Sequence, residues 1–136
     1  MEGKFTGSCH CGEVAFEIDG KILNVINCHC SICRKVNGGA FSSFAVVPEE
    51  VFAVIKGRDV LTRYAMSDNG EKNFCSVCGA PVFNRNKLYP GIAVVPLGCF
   101  EEPARLTPQA DIFFDDRLPW VTPFEGSRCY EQGFDK

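Results

Sequence analysis

Cys28-His29-Cys30-Ser31-Ile32-Cys33 places three cysteines within six residues. Two further groups accompany it, Cys9-His10-Cys11-Gly12 near the start and Cys75-Ser76-Val77-Cys78-Gly79 past the middle, and together the groups hold seven of the nine cysteines. Thiolates bind borderline metals such as zinc, so closely spaced cysteines indicate metal ligands. Structural zinc takes four thiolates, whereas a three-thiolate site leaves the open position that catalytic zinc needs. Seven cysteines therefore favour one closed and one open site.

The spacing within each group leaves alternatives open. Cys75-x-x-Cys78-Gly79 has the spacing of a zinc knuckle, although a lone C-x-x-C is also typical of a redox pair. Cys30-x-x-Cys33 matches a thioredoxin-type dithiol, but that motif opens a helix in a βαβ unit, which this chain does not predict. We predict an extended Cys9-x-Cys11 segment, in which residues i and i+2 project to one side. His10 and His29 would then point away from the flanking sulfurs, so we do not expect either to bind the same ion.

Length and composition predict one domain over residues 1–136. The formal charge is −3, from 14 basic and 17 acidic residues, which argues against general binding to nucleic acid or an anionic membrane. The longest uncharged stretch, Leu88 to Phe100, contains two prolines and is too short to span a bilayer. No apolar signal segment follows Met1, so we expect a cytoplasmic protein with reduced, metal-bound thiols.

Alternation of apolar and polar residues predicts a mainly β domain. Val14, Phe16 and Ile18 alternate with polar or small residues, and Asp19-Gly20 then predicts a two-residue hairpin turn. In the simplest register Phe16 faces Leu23, and Cys9 and Cys11 face Cys30 and Cys28. Five later segments have strand character, and a short helical turn ended by glycines is expected after Cys33. These later strands are predicted at Ala40–Val47, Val51–Ile55, Leu61–Met66, Ile92–Leu97 and Ala110–Phe114.

Three segments carry a distinctive order and spacing: Gly7-Ser8-Cys9-His10-Cys11-Gly12, then Cys28-His29-Cys30-Ser31-x-Cys33-Arg34-Lys35 with Gly38-x-Ala40-Phe41, then Phe74-Cys75-x-x-Cys78-Gly79-x-Pro81. Together they resemble the glutathione-dependent formaldehyde-activating enzyme family, which also includes centromere protein V. The likeness runs from about residue 5 to about residue 120. It is specific for the family but not for one activity within it.

The resemblance implies folded antiparallel sheets of the β-tent type with little helix. It also implies two zinc ions per chain, each held by its own set of cysteines. A structural zinc would be held by Cys9, Cys11, Cys75 and Cys78, and an exchangeable catalytic zinc by Cys28, Cys30 and Cys33. The activity implied is carbon–sulfur lyase chemistry that joins formaldehyde to glutathione as S-(hydroxymethyl)glutathione. This chain has Asp111 where the family is expected often to place a histidine.

From these observations we predict a zinc enzyme acting on a small-molecule thiol and an aldehyde, as a monomer or homodimer. Arg34 and Lys35 are predicted to hold a substrate carboxylate, and Asp111 to orient an amine. Cys99 and Cys129 are isolated, and we expect a buried small apolar residue at Cys99 and an ordinary thiol in the tail at Cys129. Of the two, Cys99 is the better candidate for an additional, fourth ligand. The alternatives are a non-enzymatic zinc module that binds a protein or nucleic acid, and a zinc or thiol sensor.

Overall fold

The computed structural model describes residues 1–133, so the end of the domain predicted over residues 1–136 lies outside the described residues. Within this range the chain forms eleven strands and one α-helix. The strands are β1 (Glu2–Ser8), β2 (Ala15–Lys21), β3 (Asn24–Cys28), β4 (Ser42–Pro48), β5 (Phe52–Lys56), β6 (Leu61–Ala65), β7 (Gly70–Cys75), β8 (Pro81–Asn86), β9 (Ile92–Pro96), β10 (Ala110–Ile112) and β11 (Arg128–Cys129), and the helix is α1 (Ser31–Asn37).

The strands form two sheets. The small sheet has the order β1-β2-β5, and the large sheet has the order β11-β10-β3-β4-β9-β8-β7-β6. All pairings are antiparallel except those of β10, which runs parallel to both β3 and β11. The predicted mainly β fold class, with antiparallel sheets and little helix, is confirmed. The strand segments predicted between residues 40 and 114 each contain a strand, with ends shifted by a few residues.

The predicted hairpin at Asp19-Gly20 is wrong. β2 continues through both residues and pairs with β1, so that Gly20 lies across from Gly3. Phe16 pairs with Gly7 and with Val54 of β5, not with Leu23. A Cβ atom at Gly20 would lie 2.7 Å from the side chain of Val51, so the glycine permits close packing inside a strand. The register predicted to bring Cys9 and Cys11 opposite Cys30 and Cys28 is therefore wrong as well.

The main core lies between the small sheet and one face of the large sheet. Phe5, Phe16 and Phe100 pack there, with ring centroids 5.4 Å apart for Phe16 and Phe100. The Gly7 backbone lies directly against the Phe16 ring. A Cβ atom at this position would lie only 2.3 Å from that ring, so the close contact requires a glycine. The opposite face of the large sheet carries a second, smaller apolar cluster that includes Cys28.

Helix α1 is the predicted short turn after the three-cysteine segment. It ends at Gly38, which adopts φ 75° and donates its amide to the Arg34 carbonyl oxygen at 2.8 Å. This left-handed glycine cap satisfies a carbonyl at the helix end. Among residues 1–133, no helix has the length and hydropathy needed to cross a membrane.

Candidate metal centres

Four cysteines from distant parts of the sequence meet beside the main core. Their sulfur atoms all lie within 4.8 Å of one another. The Cys11 sulfur is 3.6 Å from that of Cys9 and 3.7 Å from that of Cys75. Tetrahedral zinc with sulfurs at about 2.3 Å requires sulfurs about 3.8 Å apart, so the spacing fits such an ion. The set consists of Cys9, Cys11, Cys75 and Cys78.

Two tight turns hold this cluster. After β1, Gly12 donates its amide to the Cys9 carbonyl oxygen at 3.2 Å, so this segment is a turn and not the predicted extended chain. After β7, Gly79 adopts φ 78° and donates to the Cys75 carbonyl oxygen at 2.7 Å. The Val14 amide also donates to the Cys9 sulfur at 3.3 Å. Backbone amides directed at sulfur favour the thiolate that a metal needs.

A second cluster contains the three cysteines of the segment from Cys28 to Cys33. Cys28 ends β3, Cys30 caps the N-terminus of α1, and Cys33 lies in its first turn. Their sulfurs also lie within 4.8 Å of one another, with 3.5 Å between Cys28 and Cys30. The Cys33 amide donates to the Cys30 sulfur at 3.3 Å. Cys28 is buried, whereas Cys30 and Cys33 are only half-buried, so the cluster has an accessible side.

The three thiols cannot all ionise without a cation. Hydrogen bonds from the thiols of Cys28 and Cys33 lower the pKa of Cys30. The contact with Cys30 raises the pKa of Cys28, and contacts with Cys28 and Cys30 raise the pKa of Cys33, with burial adding to both. In the metal-free cluster these shifts favour a thiolate at Cys30 over one at Cys28 or Cys33. A divalent cation is needed before three thiolates are stable together, and the donor set fits a soft or borderline metal.

His29 points away from the sulfurs on either side of it, as predicted. Its ring is fully buried, with Nε2 2.7 Å from Oδ1 of Asp111. The ring packs between Phe41 and Phe114, with centroids 5.1 and 5.2 Å away. His29 Nδ1 has no hydrogen-bond partner among residues 1–133. His10, by contrast, is exposed in the turn before Gly12.

Asp111 belongs to a buried hydrogen-bond network and does not face a substrate. Besides His29, it accepts from Asn27 Nδ2 at 3.3 Å and from the Ser127 hydroxyl at 2.5 Å. Ser43 extends the network by donating to Asn27 Oδ1 at 2.6 Å. The proposed amine-orienting role of Asp111 is therefore wrong, because the carboxylate is 2% exposed and its oxygens already have partners.

Arg34 and Lys35 differ in their surroundings. Arg34 Nη1 donates to the carbonyl oxygens of His29 and Asp116, so this guanidinium joins α1 to the 3-10 turn Phe114–Asp116. Lys35 is exposed on α1. The structure gives Arg34 a structural contact, and the substrate-binding role of both residues stays a prediction.

Cys99 and Cys129 stand outside both clusters. The Cys99 thiol donates to the Pro81 carbonyl oxygen at 2.9 Å, beside the four-cysteine cluster. Burial, together with nearby Cys9 and Cys78, raises the pKa of Cys99 to about 11. Its proposed place as an additional ligand of the three-cysteine site is therefore wrong. Cys129 is exposed in β11.

Comparison with known proteins agrees with these features. The sequence pattern of the family described as glutathione-dependent formaldehyde-activating enzyme matches residues 4–116. A Halomonas elongata protein named for this activity is 26% identical over 91% of this chain and 85% of its own length. A Fusarium vanettenii protein of the same name is 29% identical over 98% of this chain and 67% of its own length.

The fold has a counterpart among solved structures. A crystal structure of a Rhodobacter sphaeroides protein superposes with a TM-score of 0.60 at 22% identity, covering 92% of this chain and 98% of that one. The family pattern spans most of the chain and contains all seven clustered cysteines. The chain belongs to the glutathione-dependent formaldehyde-activating enzyme family.

Proposed function

We propose that this protein is a zinc-dependent carbon–sulfur lyase that acts on a glutathione-like thiol and an aldehyde such as formaldehyde. The observation that carries the proposal is the contrast between the two cysteine clusters. One offers four sulfurs, enough to fill the coordination of a tetrahedral ion, and the other offers three sulfurs with an accessible side. The names of the relatives support the substrates.

The proposal divides the cysteines by role. Cys9, Cys11, Cys75 and Cys78 would hold a structural zinc, and Cys28, Cys30 and Cys33 an exchangeable zinc. A zinc ion with an open position lowers the pKa of a coordinated thiol and so supplies a nucleophilic thiolate near neutral pH. Three thiolate ligands donate charge to the metal and weaken it as a Lewis acid, so thiol activation is favoured over polarisation of the aldehyde.

The reaction is balanced without an oxidant or reductant. The thiol sulfur forms a bond to the aldehyde carbon, and the carbonyl oxygen gains the electron pair and a proton to become a hydroxyl. The thiol proton is released in the same overall step. The chain contributes by fixing the three sulfurs. β3 places Cys28, and the first turn of α1 places Cys30 and Cys33.

The partners are a small-molecule thiol and aldehyde, and we place the reaction in the cytoplasm. A non-enzymatic zinc module or a zinc sensor would use the same cysteines without turnover. Exchange NMR separates these functions, because it measures how fast glutathione and formaldehyde interconvert with S-(hydroxymethyl)glutathione. We expect acceleration above the uncatalysed rate by the wild type, loss in Cys33→Ala, and full retention in Cys129→Ser. No acceleration by the zinc-loaded wild type would refute the enzyme.

A further inference from the structure

One face of the large sheet connects the three-cysteine cluster to a lysine four strands away. Paired residues in a sheet project to the same face, as do residues i and i+2 along a strand. Cys28 pairs with Ser42 of β4, and Val46 follows four residues later. Register then carries this face across β9 and β8 to β7. In order outward from the cluster, the face carries Cys28, Ser42, Phe44, Val46, Val94, Asn84 and Lys72.

Lys72 is a cation without an anion. Its Nζ donates to the Val36 carbonyl oxygen at 3.0 Å and lies 5.7 Å from the Phe74 ring centroid. Partial burial lowers the pKa of this ammonium group. Within residues 1–133 no carboxylate lies within ion-pair distance of Nζ. Arg85 on the neighbouring strand, by contrast, pairs with two glutamates.

Asn84, directly across from Lys72, adds a second unsatisfied group to this face. Its side chain is 9% exposed, and its Oδ1 has no hydrogen-bond partner among residues 1–133. A buried polar atom without a partner carries a desolvation cost, and such atoms are rare in folded proteins. The face therefore combines a cation that lacks a counter-ion with a buried amide oxygen that lacks a donor, as expected of a surface that receives a polar ligand.

An uncharged cleft of about 210 Å³ lies beside the C-terminal end of α1, whose last residue, Asn37, lines it. Its lining includes Asn37, Ser42, Phe44, Pro81 and Pro96. Asn37 Nδ2 donates to the Ser42 hydroxyl at 2.8 Å, and that hydroxyl donates to the Cys33 carbonyl oxygen at 3.4 Å. The cleft wall is thus bonded to the cysteine cluster at one end. Asn37 also directly follows Val36, so the Lys72 ammonium group contacts the residue next to the cleft wall.

The span suits a short peptide thiol. Cys33 and Val36 are three residues apart on α1, which is about 4.5 Å along the helix axis. The ammonium group lies 3.0 Å from the Val36 carbonyl oxygen, one helical turn beyond Cys33. A cysteine and a carboxylate one residue further along an extended peptide are separated by about 7 Å. A thiol held at the cluster could therefore place a carboxylate against Lys72 with its amide in the cleft.

We infer that Lys72 is the residue that selects a carboxylate-bearing peptide thiol, with the adjoining uncharged cleft holding the peptide amide. This inference rests on the proposed function of the cysteine cluster. It transfers to Lys72 the carboxylate-binding role that the sequence suggests for Arg34 and Lys35. Arg34 is less suited, because its Nη1 is occupied by two carbonyl oxygens.

S-Methylglutathione tests this inference separately from thiol chemistry, since its sulfur is a thioether and cannot become a thiolate. Its affinity for the zinc-loaded protein is measured by calorimetry or by chemical-shift titration. We expect Lys72→Met to weaken binding roughly tenfold to a hundredfold, the range of a charge-assisted hydrogen bond. Lys72→Arg should retain most of the affinity, and exposed Lys21→Met should match the wild type. The diethyl ester of the ligand should bind the wild type as weakly as the acid binds Lys72→Met.

Other outcomes overturn the inference. Equal affinity of the wild type and Lys72→Met for S-methylglutathione would show that Lys72 does not bind the carboxylate. A tenfold to hundredfold loss of affinity in Lys35→Met alone would show that the carboxylate binds on α1 instead. Binding of 2-mercaptoethanol, which has a thiol but no carboxylate, measures separately whether the metal site accepts a thiol. If 2-mercaptoethanol does not bind but the S-methyl ligand binds through Lys72, the proposed function fails and the carboxylate site stands. If a circular-dichroism melt shows that Lys72→Met is unfolded, the affinities of the wild type for S-methylglutathione and for its diethyl ester test the inference instead. Equal affinities for the two would overturn it.

Discussion

His29 Nε2 lies 2.7 Å from Oδ1 of Asp111, and this buried contact joins the segment between two clustered cysteines to a strand 82 residues away. Asp111 pairs with Asn27, so its side chain lies on the face of the sheet opposite that of Cys28. The contact therefore fixes the backbone between the two cysteines and leaves Cys30 half-buried beside the buried Cys28. It gives the cysteine cluster a rigid support outside α1.

Removing this support should destabilise the fold. In Asp111→Ala the His29 ring stays buried without its partner, and two other donors lose their acceptor, so we expect a loss of about 2–3 kcal/mol of unfolding free energy. Asp111→Asn keeps an acceptor oxygen and should lose less. Urea denaturation of the zinc-loaded protein measures both. Wild-type stability of Asp111→Ala would show that the network does not support the segment.

Two zinc ions of different lability are expected per chain. The four-cysteine set leaves no position for a competing ligand, whereas the three-cysteine set does. Metal analysis after brief treatment with a mild chelator should therefore show about one ion lost and one retained, with the fold unchanged. Simultaneous loss of both ions with unfolding would contradict the division of the cysteines.

Two serine substitutions should separate stability from activity. Cys75→Ser should unfold or strongly destabilise the domain, because structural zinc supplies on the order of ten kcal/mol of folding free energy. Cys33→Ser should leave the fold intact and abolish catalysis. Thermal melts and exchange NMR on both variants, with Cys129→Ser as the matched control, measure the two effects. Equal destabilisation by Cys33→Ser would make the three-cysteine cluster structural.

Zinc affinity at the three-cysteine site should rise with pH. The pKa of Cys30 is lowered, so it is already a thiolate, whereas the raised pKa values of Cys28 and Cys33 keep them protonated near neutrality. Binding must then release two protons, and the affinity should fall about a hundredfold for each unit of decreasing pH. Competition with a chelator of known affinity between pH 6 and 8 gives the slope. A pH-independent affinity would mean that the thiols are ionised beforehand.

The sequence was informative where a feature depends on neighbouring residues. The cysteine groups, the glycine-capped turn after Cys33 and the direction of His29 away from the flanking sulfurs are all local, and the structure agrees with each of them. Spacing alone did not say which cysteines meet; that division came from the family resemblance, and the structure brings the same two sets together.

Features that depend on strand partners were not predictable. Alternation around Phe16 specifies which face is buried, but not that β1 and β5 are its neighbours. Asp19-Gly20 has the composition of a turn. In the structure, however, the glycine lies inside β2, where it allows close packing against Val51. The parallel pairing of β10 with β3 brings Asp111 to His29, and the register across four strands places Lys72 on the face of Cys28. No motif in the sequence marks either relationship.

The central claim is that one cysteine cluster is closed and the other accepts an external thiol. Cobalt substitution tests it directly, because thiolate coordination to cobalt gives charge-transfer absorption and the visible bands report coordination geometry. With both sites loaded with cobalt, glutathione should add charge-transfer intensity equivalent to one thiolate per chain, and Cys33→Ser should lose this response. A spectrum that glutathione leaves unchanged at saturating concentration would show that both sites are closed, and would contradict the account.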